Sequence, residues 1–89
     1  MTHQEFVNKI GGESAKKLYA LYDFAGENGL KVKVRTYPNA CGDFCIFIYD
    51  KKVKPSYMVG FDGDFEDSKL TIDYCIGQSF EWIRKYRGV

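Results

Sequence analysis

The sequence predicts an α+β fold in which two N-terminal helices, a four-stranded antiparallel sheet and a C-terminal helix form a single two-layer domain over residues 1–89. Three observations support this fold class. Helical spacing of apolar residues occupies residues 2–28, strand-like segments follow closely from residue 31, and helical spacing returns near the C-terminus. Short connections favour antiparallel neighbours, and helices flanking one sheet are expected to pack on one of its faces.

The two N-terminal helices are bounded by residues typical of helix ends. Residues 2–5, Thr-His-Gln-Glu, match a capping box, and the glycine pair at 11–12 ends the first helix. Ser14 is the expected N-cap of the second helix, which ends at Asn28 and Gly29. The predicted apolar stripes are Phe6, Val7 and Ile10 in the first helix, and Ala15, Leu18, Tyr19, Tyr22 and Ala25 in the second.

Four strands are predicted at residues 31–35, 44–49, 57–61 and 69–74. The last of them is ambiguous, because an apolar residue at every third or fourth position from 72 to 83 also fits one long helix. Gly77 would cost such a helix about 1 kcal/mol relative to alanine, so we expect a strand at 69–74 and a helix from Ser79 to Arg87. The predicted core is Leu18, Tyr22, Val32, Val34, Ile46, Ile48, Val59, Ile72, Phe80 and Ile83.

The second strand, residues 44–49, is apolar or aromatic at every position. Successive side chains of a strand point to opposite faces, so Cys45, Phe47 and Tyr49 lie opposite the set that we expect to face the helices. The first helix, a second copy of the chain or a different partner could each cover this second face. We expect a protein contact there, a homodimer ahead of a hetero-partner, with Phe47, Tyr49 and Tyr57 as partner-binding residues.

Basic side chains are concentrated in the middle of the chain, although the formal net charge is only +1. Residues 31–54 hold six basic and two acidic side chains, whereas residues 55–89 hold four basic and six acidic ones. Beside aromatic rings, such a surface could bind single-stranded nucleic acid by stacking and phosphate contact. Alternate lysines are also typical of the exposed face of an edge strand. The basic residues concerned are Lys31, Lys33, Arg35, Lys51, Lys52 and Lys54.

Residues with catalytic or metal-binding potential are few and poorly spaced for chemistry. His3, the only histidine, lies at a helix start where no third group is expected to orient it. Cys41 and Cys45 are separated by three residues, whereas redox pairs use two, and His3 with Cys75 does not complete a zinc site. A calcium-binding loop that starts at Asp62 would need glycine at its sixth position and glutamate at its twelfth, where this chain has Asp67 and Asp73. We predict no catalytic residue, metal or cofactor.

The composition favours an interaction protein over an enzyme. Seven tyrosines, seven phenylalanines and one tryptophan are many for so small a core, and an excess of aromatic residues is typical of interfaces. The chain has three cysteines, and an odd number argues against a framework of disulfides. Its first residues lack the basic segment and the apolar segment of a signal peptide, so we expect a cytoplasmic protein with reduced thiols. The expected function is a small regulator or inhibitor, such as one encoded by a phage or another mobile element. The alternative is a nucleic-acid-binding module that uses the basic 31–54 surface.

Overall fold

The described residues form three helices and three strands, with two helices before the strands and one after them. The computed structural model describes residues 2–36, 43–53, 57–65 and 71–89. The elements in chain order are α1 (His3–Ile10), α2 (Gly12–Glu27), β1 (Leu30–Thr36), β2 (Phe44–Asp50), β3 (Val59–Gly63) and α3 (Ile72–Arg87).

The strands form an antiparallel sheet in the order β1-β2-β3, so β2 is the central strand. Leu30 lies opposite Asp50 at one end of the β1–β2 pair, and Thr36 lies opposite Phe44 at the other. Alternation along the strands then defines two faces. The inner face carries Leu30, Val32, Val34, Thr36, Phe44, Ile46, Ile48, Asp50, Val59, Phe61 and Gly63. The outer face carries Lys31, Lys33, Arg35, Cys45, Phe47, Tyr49, Gly60 and Asp62.

The helices pack on the inner face, as expected for an α+β fold. Helix α2 contacts β1, α3 contacts β2 and β3, and the two helices contact each other. The buried core is Phe6, Leu18, Leu21, Ala25, Leu30, Val32, Phe44, Ile46, Ile48, Ile72, Cys75, Ile76 and Ile83. Four residues of the predicted core, Tyr22, Val34, Val59 and Phe80, are only partly buried but pack against it. The even-numbered residues of β2 therefore face the helices, as predicted.

The prediction of a fourth strand over residues 69–74 is wrong where the structure describes them, because residues 72–74 are helical; residues 69–70 lie outside the described ranges. Thr71 is the N-cap of α3, and its hydroxyl oxygen accepts from the Tyr74 backbone N–H at 3.5 Å. Helix α3 thus begins at Ile72 and not at Ser79. It buries Ile72 and Ile76, which are 8% and 2% exposed. Each gains about 1.5–3 kcal/mol from burial, which exceeds the cost of Gly77.

Ser14 does not cap α2, because that helix already begins at Gly12. The Ser14 hydroxyl instead donates to Oδ1 of Asp73, at the start of α3, over 2.7 Å. Lys17 Nζ lies 3.2 Å from Oδ2 of the same carboxylate. The Ser14 hydrogen bond, followed by that of Lys17, lowers the pKa of Asp73. The start of α2 is thereby linked to the start of α3, although nearly sixty residues separate them in the chain.

The other end of α3 is held at the junction of α2 and β1. The carboxylate of Asp50 accepts from the backbone N–H of Lys52 at 2.9 Å, the hydroxyl of Tyr86 at 2.8 Å and the guanidinium of Arg87 at 3.4 Å. The Arg87 Nε also donates to the Asn28 carbonyl at 2.8 Å. These bonds, with the Lys52 N–H as the largest influence, lower the pKa of Asp50. Asp50 is therefore a buried anion with hydrogen-bond partners.

Candidate functional site

Among the described residues, the outer face of the sheet is a surface that the core packing of the helices does not cover. Its basic side chains on β1 are exposed, and Phe47 and Tyr49 on β2 are half-buried. Within the described ranges, the helices bury the inner face of the sheet and not this one. The third predicted strand begins at Val59 and not at residue 57, and Val59 and Phe61 lie on the inner face.

Phe47 is held close to the sheet because the residue beside it on β3 has no side chain. Phe47 lies opposite Gly60. A Cβ atom added to Gly60 would stand 3.1 Å from two atoms of the Phe47 ring and 3.0 Å from Cys45 Sγ. Glycine inside a strand is typical of such close approach. The Phe47 ring and the Cys45 thiol therefore fill the space above Gly60, and Cys45 is buried although it lies on the outer face.

Three aromatic residues form a connected row on this face. The ring centroid of Phe47 lies 4.9 Å from that of Tyr57 and 6.4 Å from that of Tyr49. Tyr57 precedes β3 and is 47% exposed. We call Tyr49, Phe47 and Tyr57 the aromatic row. Lys33 Nζ lies 5.7 Å from the centroid of Tyr49, a cation–π distance, so the row borders the basic side chains of β1.

The first helix does not cover the outer face, which contradicts one of the three explanations considered for it. Phe6 of α1 is buried in the core, and its ring centroid lies 5.6 Å from that of Phe44 and 5.8 Å from that of Phe65. Phe44 belongs to the inner face. Ile10 of α1 also packs against the core. The contact with a second copy or with another partner through Phe47, Tyr49 and Tyr57 stays a prediction.

The predicted basic residues fall into three groups. Lys31, Lys33, Arg35 and Lys51 line a common groove of about 660 Å³ along β1, which we call the edge groove. They meet there because Leu30 pairs with Asp50, which brings the turn after β2 to the start of β1. Lys52 is exposed in that turn, and Lys54 lies outside the described residues. Binding of nucleic acid by this set stays a prediction.

His3 and Tyr22 form the helix side of the edge groove. His3 Nε2 and the Tyr22 hydroxyl are 3.0 Å apart, in hydrogen-bond contact. Burial, together with the neighbouring Tyr19, raises the pKa of Tyr22 to about 12, so this hydroxyl keeps its proton at neutral pH. The sequence indicated only an exposed histidine at a helix start. Its partner is nineteen positions away, and no local pattern relates the two residues.

The described thiols do not favour nucleophilic chemistry. Burial, with smaller contributions that include Asp62, raises the pKa of Cys45 to about 12. Burial and the acidic side chains of Asp62 and Asp64 raise that of Cys75 to about 11. The thiolate is the reactive form, and these environments disfavour it. Cys41 lies outside the described residues, within which no group of three or more potential metal ligands occurs.

Comparison of the chain with protein-family models, with curated proteins and with solved structures gives no match. In the residues that the structure describes, no helix combines the length and apolar character required to cross a bilayer.

Proposed function

We propose that this protein is a non-catalytic interaction protein, a regulator or inhibitor, whose outer face docks on an acidic surface of a partner protein. The aromatic row is the centre of the proposed contact, and the basic side chains of β1 flank it. The observation that carries the proposal is the contact of Phe47 with both Tyr49 and Tyr57 on the face opposite the core. Aromatic anchors with a charged border are typical of protein interfaces.

The arrangement of the aromatic row favours binding because its central ring is already ordered. Phe47 lies against Tyr57, and it also lies over Gly60 and beside Cys45. A partner that docks on an ordered ring loses less side-chain entropy than one that must immobilise a mobile side chain, a cost of about 0.5–1.5 kcal/mol per side chain. The two tyrosines add hydroxyl groups that can donate to acceptors on the partner.

Charge favours a different acidic protein over a second copy of this chain. The outer face carries three cations, Lys31, Lys33 and Arg35, and among its described residues only one carboxylate, that of Asp62. Two such faces packed together would bring six cations near two carboxylates. Like charges brought together at an interface are unfavourable, and complementary charges give specificity. A cytoplasmic site of action is part of the proposal, and the free thiols Cys45 and Cys75 support it.

The test uses two tyrosines of similar exposure on opposite layers of the fold. Tyr57 in the aromatic row is 47% exposed, and Tyr74 on α3 is 51% exposed. Wild type, Tyr57→Glu and Tyr74→Glu would each be immobilised and exposed to host lysate, with bound proteins quantified by mass spectrometry. We expect at least one acidic protein to be retained by wild type and by Tyr74→Glu but not by Tyr57→Glu. That protein, once purified, should bind wild type directly in calorimetric titration.

Folding and self-association must be measured on the same variants. Circular dichroism should give the same spectrum and nearly the same melting temperature for all three, because both tyrosines are substantially exposed. In sedimentation velocity, wild type should be monomeric. If wild type is a dimer and Tyr57→Glu is a monomer, the outer face binds a second copy of this chain and not an acidic partner. Identical sets of captured proteins for the two variants would contradict the proposal.

Binding of single-stranded nucleic acid is the second candidate, and the position of Lys33 over the Tyr49 ring favours it. Cations beside aromatic rings are the elements of such sites. It ranks second because the ring planes in the aromatic row are inclined by 53° and 59°, so the rings do not present parallel faces to successive bases. The test is fluorescence anisotropy with labelled oligothymidylate of about 12 nucleotides, a length suited to such sites. Binding that weakens steeply with salt and is lost in Lys33→Glu/Arg35→Glu would establish this candidate.

A further inference from the structure

The edge groove has a shape that is unusual for a small-molecule pocket. Six consecutive residues of β1, from Leu30 to Arg35, contribute to its lining. Consecutive residues of a strand point to alternate faces, so a groove that contacts all of them follows the backbone edge of the strand. Tyr22 and Gly26 of α2 bound the groove on the helix side. The groove is therefore a trough along the length of β1.

The strand that borders this trough has an unpaired edge in the described sheet. The strand order β1-β2-β3 places β1 at one side, with β2 as its described neighbour. An edge strand directs alternate backbone N–H and C=O groups away from the sheet, and these groups can pair with an added strand. Strand β1 is seven residues long, which is sufficient for an extended peptide of similar length.

The side chains of β1 define the sequence that such an added strand would need. On the outer face an added strand would lie beside Lys31, Lys33 and Arg35, and on the inner face beside Leu30, Val32 and Val34. Neighbouring side chains on the same face of a sheet interact directly. Acidic residues would therefore match the outer side and aliphatic residues the inner side. An alternation of acidic and aliphatic residues satisfies both faces at once.

Charge also decides between a second copy and a different chain as the occupant. The lining residues of the edge groove include Lys31, Lys33, Arg35 and Lys51 and, as described, no aspartate or glutamate. If β1 paired with β1 of a second copy, the cations of the two strands would lie next to one another, which is destabilising. Cationic edge strands are a known means of preventing self-pairing. The same cations attract an acidic chain.

We propose that β1 binds an extended peptide segment of alternating acidic and aliphatic residues, which adds to the sheet as a further strand and places its aliphatic side chains in the edge groove. This site shares the cations Lys31, Lys33 and Arg35 with the contact proposed above, but it lies at the edge of the sheet and its lining does not include the aromatic row. The inference therefore goes beyond the proposed function and does not depend on it.

The first experiment changes the peptide and leaves the protein untouched. The probe is a fluorescein-labelled seven-residue peptide, Glu-Val-Glu-Val-Glu-Val-Glu, which matches the length of β1. Its binding would be followed by fluorescence anisotropy. Two further peptides carry N-methyl groups on all valines or on all glutamates. In an added strand only alternate N–H groups face β1, so one methylated peptide should bind about tenfold more weakly or worse, and the other should bind as the parent does.

The second experiment fills the groove from the helix side. Gly26 lines the groove, and a Cβ atom added there meets nothing within 4 Å, which is also true of Gly77 on α3. Gly26→Trp should weaken binding of the probe about tenfold or more, whereas Gly77→Trp, the matched control, should leave it unchanged. Tyr57→Glu should also leave it unchanged, which separates this site from the aromatic row. Circular dichroism of each variant checks the fold.

The outcomes that would overturn the inference are specific. If both methylated peptides bind as the parent does, the backbone of β1 is not the contact. If a Lys-Val peptide of the same length binds equally well, the cations do not select the ligand. The groove would be assigned to nucleic acid by two results together: oligothymidylate displaces the probe, and Gly26→Trp weakens the binding of both ligands equally. Should Gly26→Trp unfold, Lys33→Glu/Arg35→Glu replaces it, because both side chains are exposed and their reversal should abolish binding.

Discussion

The inner and outer faces of β2 have similar apolar character in the sequence but different surroundings in the fold. On the inner face, Phe44, Ile46 and Ile48 are completely buried beneath the helices. On the outer face, Phe47 and Tyr49 are half-buried, their rings contact one another, and Lys33 of β1 lies over the Tyr49 ring. The same strand therefore supplies the centre of the core on one side and an accessible aromatic surface on the other.

The difference arises from the strands on either side of β2. Across the inner face, Ile46 has Val34 and Phe61 as its partners in register. Across the outer face, Phe47 has Lys33 and Gly60. A helix can bury an aliphatic surface completely, but burial of Lys33 without an anion would be costly. Cross-strand neighbours, more than the apolar content of one strand, decide which face becomes the core.

The largest expected effect is on the inner face. Ile46→Ala should lower the free energy of unfolding by about 2–5 kcal/mol, because it leaves a cavity among completely buried residues. The control is Lys33→Ala on the outer face, where exposure limits the change to about 0.5 kcal/mol. Urea denaturation followed by circular dichroism measures both. Equal losses for the two variants would contradict the assignment of the faces.

A smaller effect is expected where the outer face is tightly packed. Gly60→Ala would bring a methyl group to 3.0 Å from Cys45 Sγ and 3.1 Å from the Phe47 ring. Cys45 is buried and cannot move aside freely, so we expect a loss of about 1 kcal/mol, at the low end for overpacking. Gly77→Ala on α3 meets open space and should instead add about 1 kcal/mol. The melting temperatures of the two variants should therefore shift in opposite directions relative to wild type. A higher melting temperature for Gly60→Ala would show that Phe47 is loosely held.

The sequence was sufficient for the elements whose signals are local. Thr2 accepts from the Glu5 backbone N–H at 3.1 Å, which is one of the two hydrogen bonds of the predicted capping box. The alternation of residues 31–35 corresponds to β1, and the α+β class follows from such elements. The segment after residue 70 could not be assigned correctly, because alternation over a few residues is compatible with both a strand and the first turn of a helix. The decision depends on the burial of Ile72 and Ile76 against the sheet, which is a tertiary effect.

The candidate sites show the same limit. Period-two alternation placed Phe47 and Tyr49 on one face of the second strand, and the structure confirms this. Alternation does not account for Tyr57, since Val59 and Phe61 of the same predicted strand lie on the inner face, and its ring contacts Phe47 from a position that precedes β3. The edge groove was not predicted, because Tyr22 and Gly26 come to β1 only through the packing of α2. Gly60 had a usable signal, since a glycine within a strand pattern indicates close approach of another group.

The reactivity of the Cys45 thiol tests how tightly the outer face is packed at one position. Burial holds the pKa of Cys45 at about 12, so this thiol should react slowly with iodoacetamide at neutral pH. Phe47→Ala removes the ring that, with Cys45, fills the space above Gly60. It should accelerate labelling of Cys45 and leave Cys75, which is buried in the core, unchanged as an internal control. Peptide mapping by mass spectrometry measures both, and parallel acceleration at both cysteines would indicate general unfolding instead.

The smallest structural change, removal of one hydroxyl group, tests the charged residue of the inner face. Asp50 has a lowered pKa, to which the Lys52 N–H contributes most and the Tyr86 hydroxyl next. A carboxylate whose pKa is lowered by folding adds stability above its unfolded pKa of about 3.9, and this stability is lost as pH falls through the folded value. Tyr86→Phe should therefore be less stable than wild type near neutral pH, and the difference should narrow in acid below about pH 4. Asp73 also has a lowered pKa, but its contribution is the same in wild type and in Tyr86→Phe and cancels in the difference between their free energies of unfolding. Denaturation at a series of pH values measures the effect, with Tyr74→Phe as the control, and a difference that stays constant into acid would mean that the hydroxyl does not stabilise the Asp50 anion.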